Sequence, residues 1–324
     1  VEIIAFSDIH FDKNHNKSTV SVGGYTTWME NQEDIIDQIV DYAKEHKVEN
    51  IFFGGDLFEK KNYLPQDLYN FVWDIFAEHA VYGNLIFHLN TGNHDYHSKV
   101  SSSLKPFSKI VNVYNKPEDV FLHDGVVRML PHGMVDKNLG IPPRIDETVV
   151  FTHEDIADLV YGPTDYKSGS RYKPEIFGDW SYVFNGHIHT PQRLKNIVNM
   201  GSCMRQNFSE TEDKFFYHYK DGLVKPISIK CPEFVTLSGF SEKIRTVMEK
   251  DTYNFYRIDI ASEELIDPIF KQFNIFPNIV KFSNKKKRIE TDMSEEEELI
   301  KYMEIVESNL DPNKLLKLVE GLNV

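Results

Sequence analysis

Sulfur is scarce in this chain: two cysteines, Cys203 and Cys231, occur in 324 residues, and neither belongs to a CxxC pair. That excludes the disulfide framework of a small secreted domain, and buried free thiols are the expectation. Long apolar runs are missing as well; none approaches the ~18 residues of a membrane-spanning helix. The opening stretch VEIIAFSDIH carries Glu2, Ser7 and Asp8 where a signal peptide needs its apolar region, so a cytoplasmic protein without a membrane partner is expected. Positive charge is in deficit, with 36 Lys and Arg against 50 Asp and Glu and a formal net charge of -14. Such a surface repels phosphate and argues against general adhesion to nucleic acid. A site whose carboxylates hold divalent cations is the exception, because bound metal reverses the local field. Internal repeats are absent, and so are low-complexity tracts beyond a few charge runs.

What is present is an ordinary globular composition, 41% hydrophobic and 27% charged, in a chain long enough for one large core plus an appendage. Short apolar runs at 2–6 (EIIAF), 50–53 (NIFF) and 84–92 (NLIFHLNTG) read as strands. Between them, Ile35, Ile36, Ile39, Val40 and Ala43 share one helical stripe, and Leu68, Phe71, Val72, Ile75 and Phe76 share another. That alternation predicts parallel strands with crossover helices. Further strand candidates at 126–130, 148–153, 181–186, 196–202 and 214–220 come with short turns and suggest a second sheet packed on the first. With helices outside both sheets, the expected fold is a four-layer α/β/β/α sandwich over residues 1–237.

Beyond it, a helix at about 239–250, a strand at 252–260, a helix at 262–273 and a strand at 278–284 predict a small α/β cap domain over 238–290. A basic run at 285–288 precedes a C-terminal helical segment, 291–324. There Ser294 and Glu297 have capping-box spacing, and Leu299, Met303 and Val306 fall on one helical face. A second short helix carries Leu315, Leu316, Leu318 and Val319, apolar residues that another chain could cover.

Metal-capable residues gather where strands end. Asp8 and His10 close the first, Asp56 follows two glycines after the second, and Asn93, His94 and Asp95 close the third. His153 ends the TVVFTH run, and His187 and His189 follow SYVFNG. Neighbouring parallel strands converge at one sheet edge, where α/β sheets place ligands. Carboxylates, imidazoles and one carboxamide suit a pair of divalent ions sharing a bridging carboxylate, with His187 and His189 serving different ions and Ile188 turned into the core.

The blocks DIH, GGDLFE, GNHD, TH and GHIH, in this order across residues 8–189, are similar to the signature of calcineurin-like metallophosphoesterases. The resemblance implies that Asp8, His10, Asp56 and His189 hold one metal and that Asp56, Asn93, His153 and His187 hold the other. It leaves His94 free to protonate a leaving oxygen. Glu59 stands where many nuclease relatives carry histidine, and is expected to pair with His94 and raise its pKa. The stretch NMGSCMRQNFSETEDK (199–214), the cap and the terminal helices resemble the double-strand-break-repair nuclease subunit of SbcD type, of which compact forms occur in bacteriophage recombination systems. That implies a DNA exonuclease and endonuclease with two divalent ions, Mn2+ being favoured by the mixed donors. It also implies a homodimer docked on an SbcC-type coiled-coil ATPase. A small-substrate phosphodiesterase or protein phosphatase is the alternative. Tyr96, His97, Ser98 and Lys99 are candidates for lining the cleft, Arg205 for a phosphate contact and His132 for supporting the ligands. Tyr25 and Trp28 are read as core residues with a stacking role as the other option.

Overall fold

The computed structural model describes residues 1–98, 101–123, 125–142, 147–162, 166–238, 242–260 and 267–279. Lys99, the basic run at 285–288 and the expected C-terminal helical segment 291–324 lie outside them. In the first half β1 (Glu2–Phe6), α1 (Thr27–His46), β2 (Asn50–Phe53), α2 (Gln66–Ala77) and β3 (Ile86–Asn90) alternate. The short hairpin β4 (Tyr96–Ser98) and β5 (Ser101–Ser102) and then β6 (Asn112–Tyr114) follow. Next come β7 (Glu118–Leu122), β8 (Gly125–Leu130), α3 (Val135–Asn138), β9 (Glu147–Thr152), β10 (Tyr182–Asn185), β11 (Gln192–Leu194), β12 (Ile197–Asn199), β13 (Phe215–Lys220) and β14 (Leu223–Ser228). Last are β15 (Phe234–Leu237), α4 (Glu242–Lys250), β16 (Phe255–Ile260) and β17 (Ile275–Ile279).

Two six-stranded mixed sheets form the body, in the orders β14-β13-β1-β2-β3-β6 and β11-β12-β10-β9-β8-β7. Side chains alternate across each strand, so one strand serves two cores. Ile3 and Ala5 of β1 and Phe52 of β2 turn toward Val127, Met129, Val149, Phe151 and Phe184 of the second sheet. Ile4, Phe6, Ile51 and Phe53 point the other way and bury the apolar faces of α1 and α2. The α1 helix starts where the Thr26 hydroxyl accepts the Met29 N–H at 3.3 Å and stops at Lys47, whose left-handed φ of 59° breaks the ladder. On the far side, Leu130, Val150, Val183 and Ile197 pack under α3, a 3-10 turn at Pro174–Phe177 and the chain around Leu159 and Trp180. The fourth layer is therefore built largely from loop and short helical turns.

The run at 214–220 was expected in the second sheet. Instead β13 pairs antiparallel with β1 in the first, Ile3 opposite Tyr219 and Ala5 opposite Tyr217. Its alternating aromatics suit either sheet, and the free edge of β1 decides between them. A third, parallel sheet of order β15-β16-β17 encloses Met248, Ile258, Ile260, Ile269 and Ile275. Its first strand begins at Phe234, upstream of residue 238. Trp28 fixes it to the body, with ring centroids 6.3 Å from Phe234 and 5.6 Å from Phe255. Within the segment expected as a helix over 262–273, the described residues form a 3-10 turn at Pro268–Lys271, capped by the Asp267 carboxylate. The strand expected over 278–284 begins earlier, at Ile275, because burying Ile275 beside Tyr256 sets the register; it is described as far as Ile279, and 280–284 lie outside the described residues. Among the described residues no helix is long and apolar enough to cross a membrane.

Candidate metal centre

Three parallel strands of the first sheet, β1, β2 and β3, and two of the second, β9 and β10, end on one side of the sandwich and hand over to the polar blocks. The backbone turns sharply there. Asp8, His10, Asp56 and His187 have positive φ values of 55°, 52°, 61° and 82°. A non-glycine residue keeps such a conformation only when its surroundings enforce it, and sites of chemistry are where this strain collects. Close packing explains two glycines in the motifs. A Cβ on Gly92 would lie 2.2 Å from Asp56 Oδ1, and one on Gly186 would lie 2.3 Å from Ser7 Oγ and 2.6 Å from His153 Nδ1.

The side chains converge on two adjoining volumes. Around the first, His189 Nε2 faces His10 Nε2 at 3.1 Å, and Asp8 Oδ1 is 3.7 Å from His10 Nε2 and 3.9 Å from His189 Nε2. Around the second, Asn93 Oδ1 lies 3.1 Å from His153 Nε2 and 2.9 Å from His187 Nδ1. Asp56 stands between: its Oδ2 is 3.1 Å from His153 Nε2 and 3.8 Å from His10 Nε2. All seven residues read as ligands from the sequence thus meet at one place. His94 joins them, within reach of His10 and Asp56.

The donor set suits divalent cations. One nitrogen of each of three imidazoles is engaged: His153 Nδ1–H donates to the Gly54 carbonyl at 3.0 Å, His189 Nδ1–H to Glu210 Oε1 at 3.1 Å, and His10 Nδ1 sits 2.8 Å from Glu59 Oε2. The last is an ion-pair distance without hydrogen-bond alignment. The opposite nitrogens are turned on each other and on buried carboxylates, an arrangement that a cation satisfies and that bare lone pairs do not. Asp8 and Asp56 are both buried, at 0% and 2% exposure. Burial alone would raise their pKa values, but the adjacent histidines, His153 foremost, hold both below the usual carboxylate range. In turn, burial works against charge on His153 while Asp56 and Asp8 push it up to about 9. His187, buried and next to His153, is pushed down to about 4. The carboxylates call for positive charge that the imidazoles supply only in part.

Further support comes from Ser7, Asp95, Glu210 and Asn185, of which the sequence singled out only Asp95, as a metal-capable residue. Ser7 donates its hydroxyl to Asp8 Oδ2, and the His187 N–H reaches Asp8 Oδ1 at 3.1 Å. Asp95 accepts the N–H groups of Asp56, Leu57 and Gly92 at 2.8, 2.9 and 2.9 Å, tying two ligand loops together. Burial and Asp56 push its carboxyl up to about 7 against those donors. Glu210 is clamped by Lys214 Nζ at 2.6 Å and Ser202 Oγ at 2.9 Å. Burial resists its charge, yet His189 and Lys214 bring its pKa down to about 2. Asn185, at the end of β10, joins Glu154 and Asn199. The signal for these residues was their place beside a motif, which does not say where a side chain points.

Glu59 differs from expectation. Its carboxylate goes to His10, and Oε2 is 4.0 Å from His94 Nδ1; His94 instead donates Nδ1–H to the Glu59 backbone carbonyl at 2.5 Å. The loop crosses beside β1 through the Phe11–Phe58 bridge and sets the side chain over His10. Burial works against charge on His10, yet the adjacent carboxylates of Asp8, Glu59 and Asp56 lift its pKa well above the ordinary value. Arg205 does not face the cleft: it is buried against Cys231 Sγ at 3.3 Å, with Asp213 Oδ1 at 3.6 Å. Tyr25 packs on Phe71, and both cysteines are free and buried. His132 donates Nδ1–H to the His153 carbonyl at 2.7 Å, with its ring against His187. Exposed His97 contacts Asn62, and Tyr96 and Ser98 border a cavity.

Solved structures to which the chain is similar include an archaeal phosphodiesterase (12% identity, 71% of this chain and 100% of that one, TM-score 0.34). Two others are the nuclease MPE of Pseudomonas putida (16%, 69% and 87%, TM-score 0.32) and a dimetal phosphatase from Danio rerio (9%, 67% and 91%, TM-score 0.41). The model of the family described as calcineurin-like phosphoesterase matches residues 1–191, the stretch that supplies every ligand candidate. With that match and the two adjoining donor groups in view, the chain belongs to the calcineurin-like phosphoesterases and is a metal-dependent phosphoesterase.

Proposed function

We propose that the chain hydrolyses phosphodiesters, with DNA strands as substrate, as the nuclease subunit of an SbcCD-like complex. The position of Asp56 Oδ2 between the His10 and His153 nitrogens carries the proposal, because it lets one carboxylate serve two cations. Two bound divalent ions, Mn2+ in this reading, supply an activated water and neutralise charge on the phosphate. The protein's own part is to hold them and to manage the proton. Asp8, His10, Asp56 and His189 form one cradle, and Asp56, Asn93, His153 and His187 the other. His94, oriented through Nδ1 by the Glu59 carbonyl, keeps Nε2 for delivering a proton to the leaving oxygen. Glu59 positions His10.

DNA as substrate is supported by the resemblance of residues 199–214 to the SbcD-type nuclease, in which Glu210 reaches the metal centre through His189. An SbcC-type ATPase contacting residues 291–324, pairing into a homodimer, and work in the cytoplasm complete this reading. The net charge of -14 favours the second reading, a small phosphodiester or phosphoprotein. The test is incubation with Mn2+ or Mg2+ and three substrates: bis-p-nitrophenyl phosphate, p-nitrophenyl phosphate and end-labelled linear or single-stranded DNA, with and without the ATPase. Release of nucleotides from DNA supports the nuclease. Cleavage of the small esters with DNA left intact under all conditions leaves the second reading, and inertness toward all three overturns both.

A further inference from the structure

Beside the Asn93 and His187 half of the centre lies a cavity of about 410 Å3 bordered by Tyr96, Ser98, His132, Gly133 and Met134. It falls in the ~300–1,000 Å3 range of small-molecule pockets. Tyr96 opens β4 three residues after Asn93, and its hydroxyl donates to the Asn115 carbonyl at 3.1 Å, so the ring is held. His132 is held by the His153 carbonyl, and its ring centroid is 5.7 Å from that of the ligand candidate His187. One wall of the cavity is thus continuous with the donor cluster, and the others offer an aromatic ring, a thioether and a backbone glycine. Among the described residues that border it there is no carboxylate, lysine or arginine. A larger cavity, bordered by Asp12, Lys13, Lys60 and Asp67, differs: its lysines are occupied by its own carboxylates, Lys13 by Asp67 and Lys60 by Asp12.

A phosphate held by the two cations directs its ester substituent away from them, and a nucleotide's base lies several bonds beyond the phosphorus; an apolar, partly aromatic cavity beside the centre, rather than at it, suits that flat ring better than a second phosphate. We infer that this cavity receives the nucleobase carried by the phosphate being cleaved, with Tyr96 as the stacking surface. The inference rests on the phosphodiesterase reading and sharpens it, since every base presents a π-face and such a pocket accepts any sequence. Ser98 and Gly133 also border the cavity, and neither gives the bidentate pattern that reads one base.

The test compares 2-aminopurine deoxyribonucleoside 5′-monophosphate with inorganic phosphate, binding to the full Mn2+-loaded chain by calorimetry and following the quenching of 2-aminopurine fluorescence. The nucleotide should bind at least tenfold more tightly than phosphate and be quenched. Tyr96→Ala should remove roughly ten- to hundredfold of nucleotide affinity together with the quench, leaving phosphate affinity unchanged, and Tyr96→Phe should retain both. Equal affinities for the two ligands, or a nucleotide advantage that survives Tyr96→Ala, would overturn the inference. Should Tyr96→Ala not fold, Met134→Ala stands in, with weaker nucleotide binding expected and an unchanged affinity overturning it. Hydrolysis of bis-p-nitrophenyl phosphate by the same preparation separates the two levels. Turnover without a nucleotide advantage refutes the base pocket alone, and an advantage without turnover refutes the hydrolase alone.

Discussion

Asp56 carries more of the chemistry than any other side chain. Its two oxygens divide the work: Oδ1 accepts the His94 N–H at 2.7 Å, while Oδ2 lies between the His10 and His153 Nε2 atoms, where it would serve both donor groups. Asp56→Asn is expected to abolish binding of both ions in a Mn2+ titration. His94→Ala should keep both ions and lose roughly 10²–10⁴ in kcat; equal metal loss in the two variants would remove the distinction. Glu210 acts through His189, whose Nε2 it aims by taking the hydrogen on Nδ1. Glu210→Gln should weaken one of the two ions about 10- to 100-fold and leave the other. Turnover should then recover when Mn2+ is raised, which a misfolded variant would not show.

Strands place these residues, and the loops after them need room. Gly92→Ala would set a methyl against the Asp56 carboxylate and the Asp56 backbone nitrogen at once, so loss of metal binding in a folded protein is expected, with native far-UV circular dichroism as the control. In α1, Trp28 does structural work, bridging the first core to β15 and β16. Trp28→Ala should cost about 3–5 kcal/mol in urea unfolding. Strand β3 carries a second buried group, His88, whose ring stacks on Phe52 at 4.1 Å and contacts Tyr114 at 2.9 Å and Asn50 at 3.2 Å. Burial pushes its pKa down from the ordinary 6.5 to about 4. At pH 7 it is neutral folded or unfolded. Below about 6.5 the unfolded chain takes up a proton that the native state refuses, so stability is lost between pH 6.5 and 4 and the loss is complete below that. The penalty is on the order of 3 kcal/mol. His88→Gln should flatten the fall in unfolding free energy over this window relative to the parent; superimposable pH curves would exclude the role.

Over the whole molecule, acidic residues outnumber basic ones, and the most deeply buried of them surround the metal centre. Cations that bind only the folded cluster stabilise it by mass action. Free Mn2+ at 100 times its Kd should add about 2.7 kcal/mol per site to the unfolding free energy, EDTA should reverse the gain, and Asp56→Asn should show neither effect. Calorimetric scans with and without metal measure this directly.

The α/β layering and the meeting of the seven ligand candidates were legible in the sequence because both are local signals. Apolar alternation marks strands, the 3.6-residue stripes of Ile35 to Ala43 and Leu68 to Phe76 mark crossover helices, and parallel strands end on one side. The return of β13 to β1 was not legible, since alternating aromatics do not name a partner strand. Nor was the route of Glu59 to His10, because one carboxylate lay within sequence reach of two imidazoles and the loop path chose between them. Arg205 and Glu210 lie five residues apart in one polar stretch, yet packing buries the first against Cys231 and sends the second to His189. The amino-acid order by itself determined which residues could hold metal and which strands would carry them. Tertiary packing alone decided which carboxylate holds which imidazole, because an alternating strand or a turn fixes a side chain's face and only the neighbouring element fixes its partner.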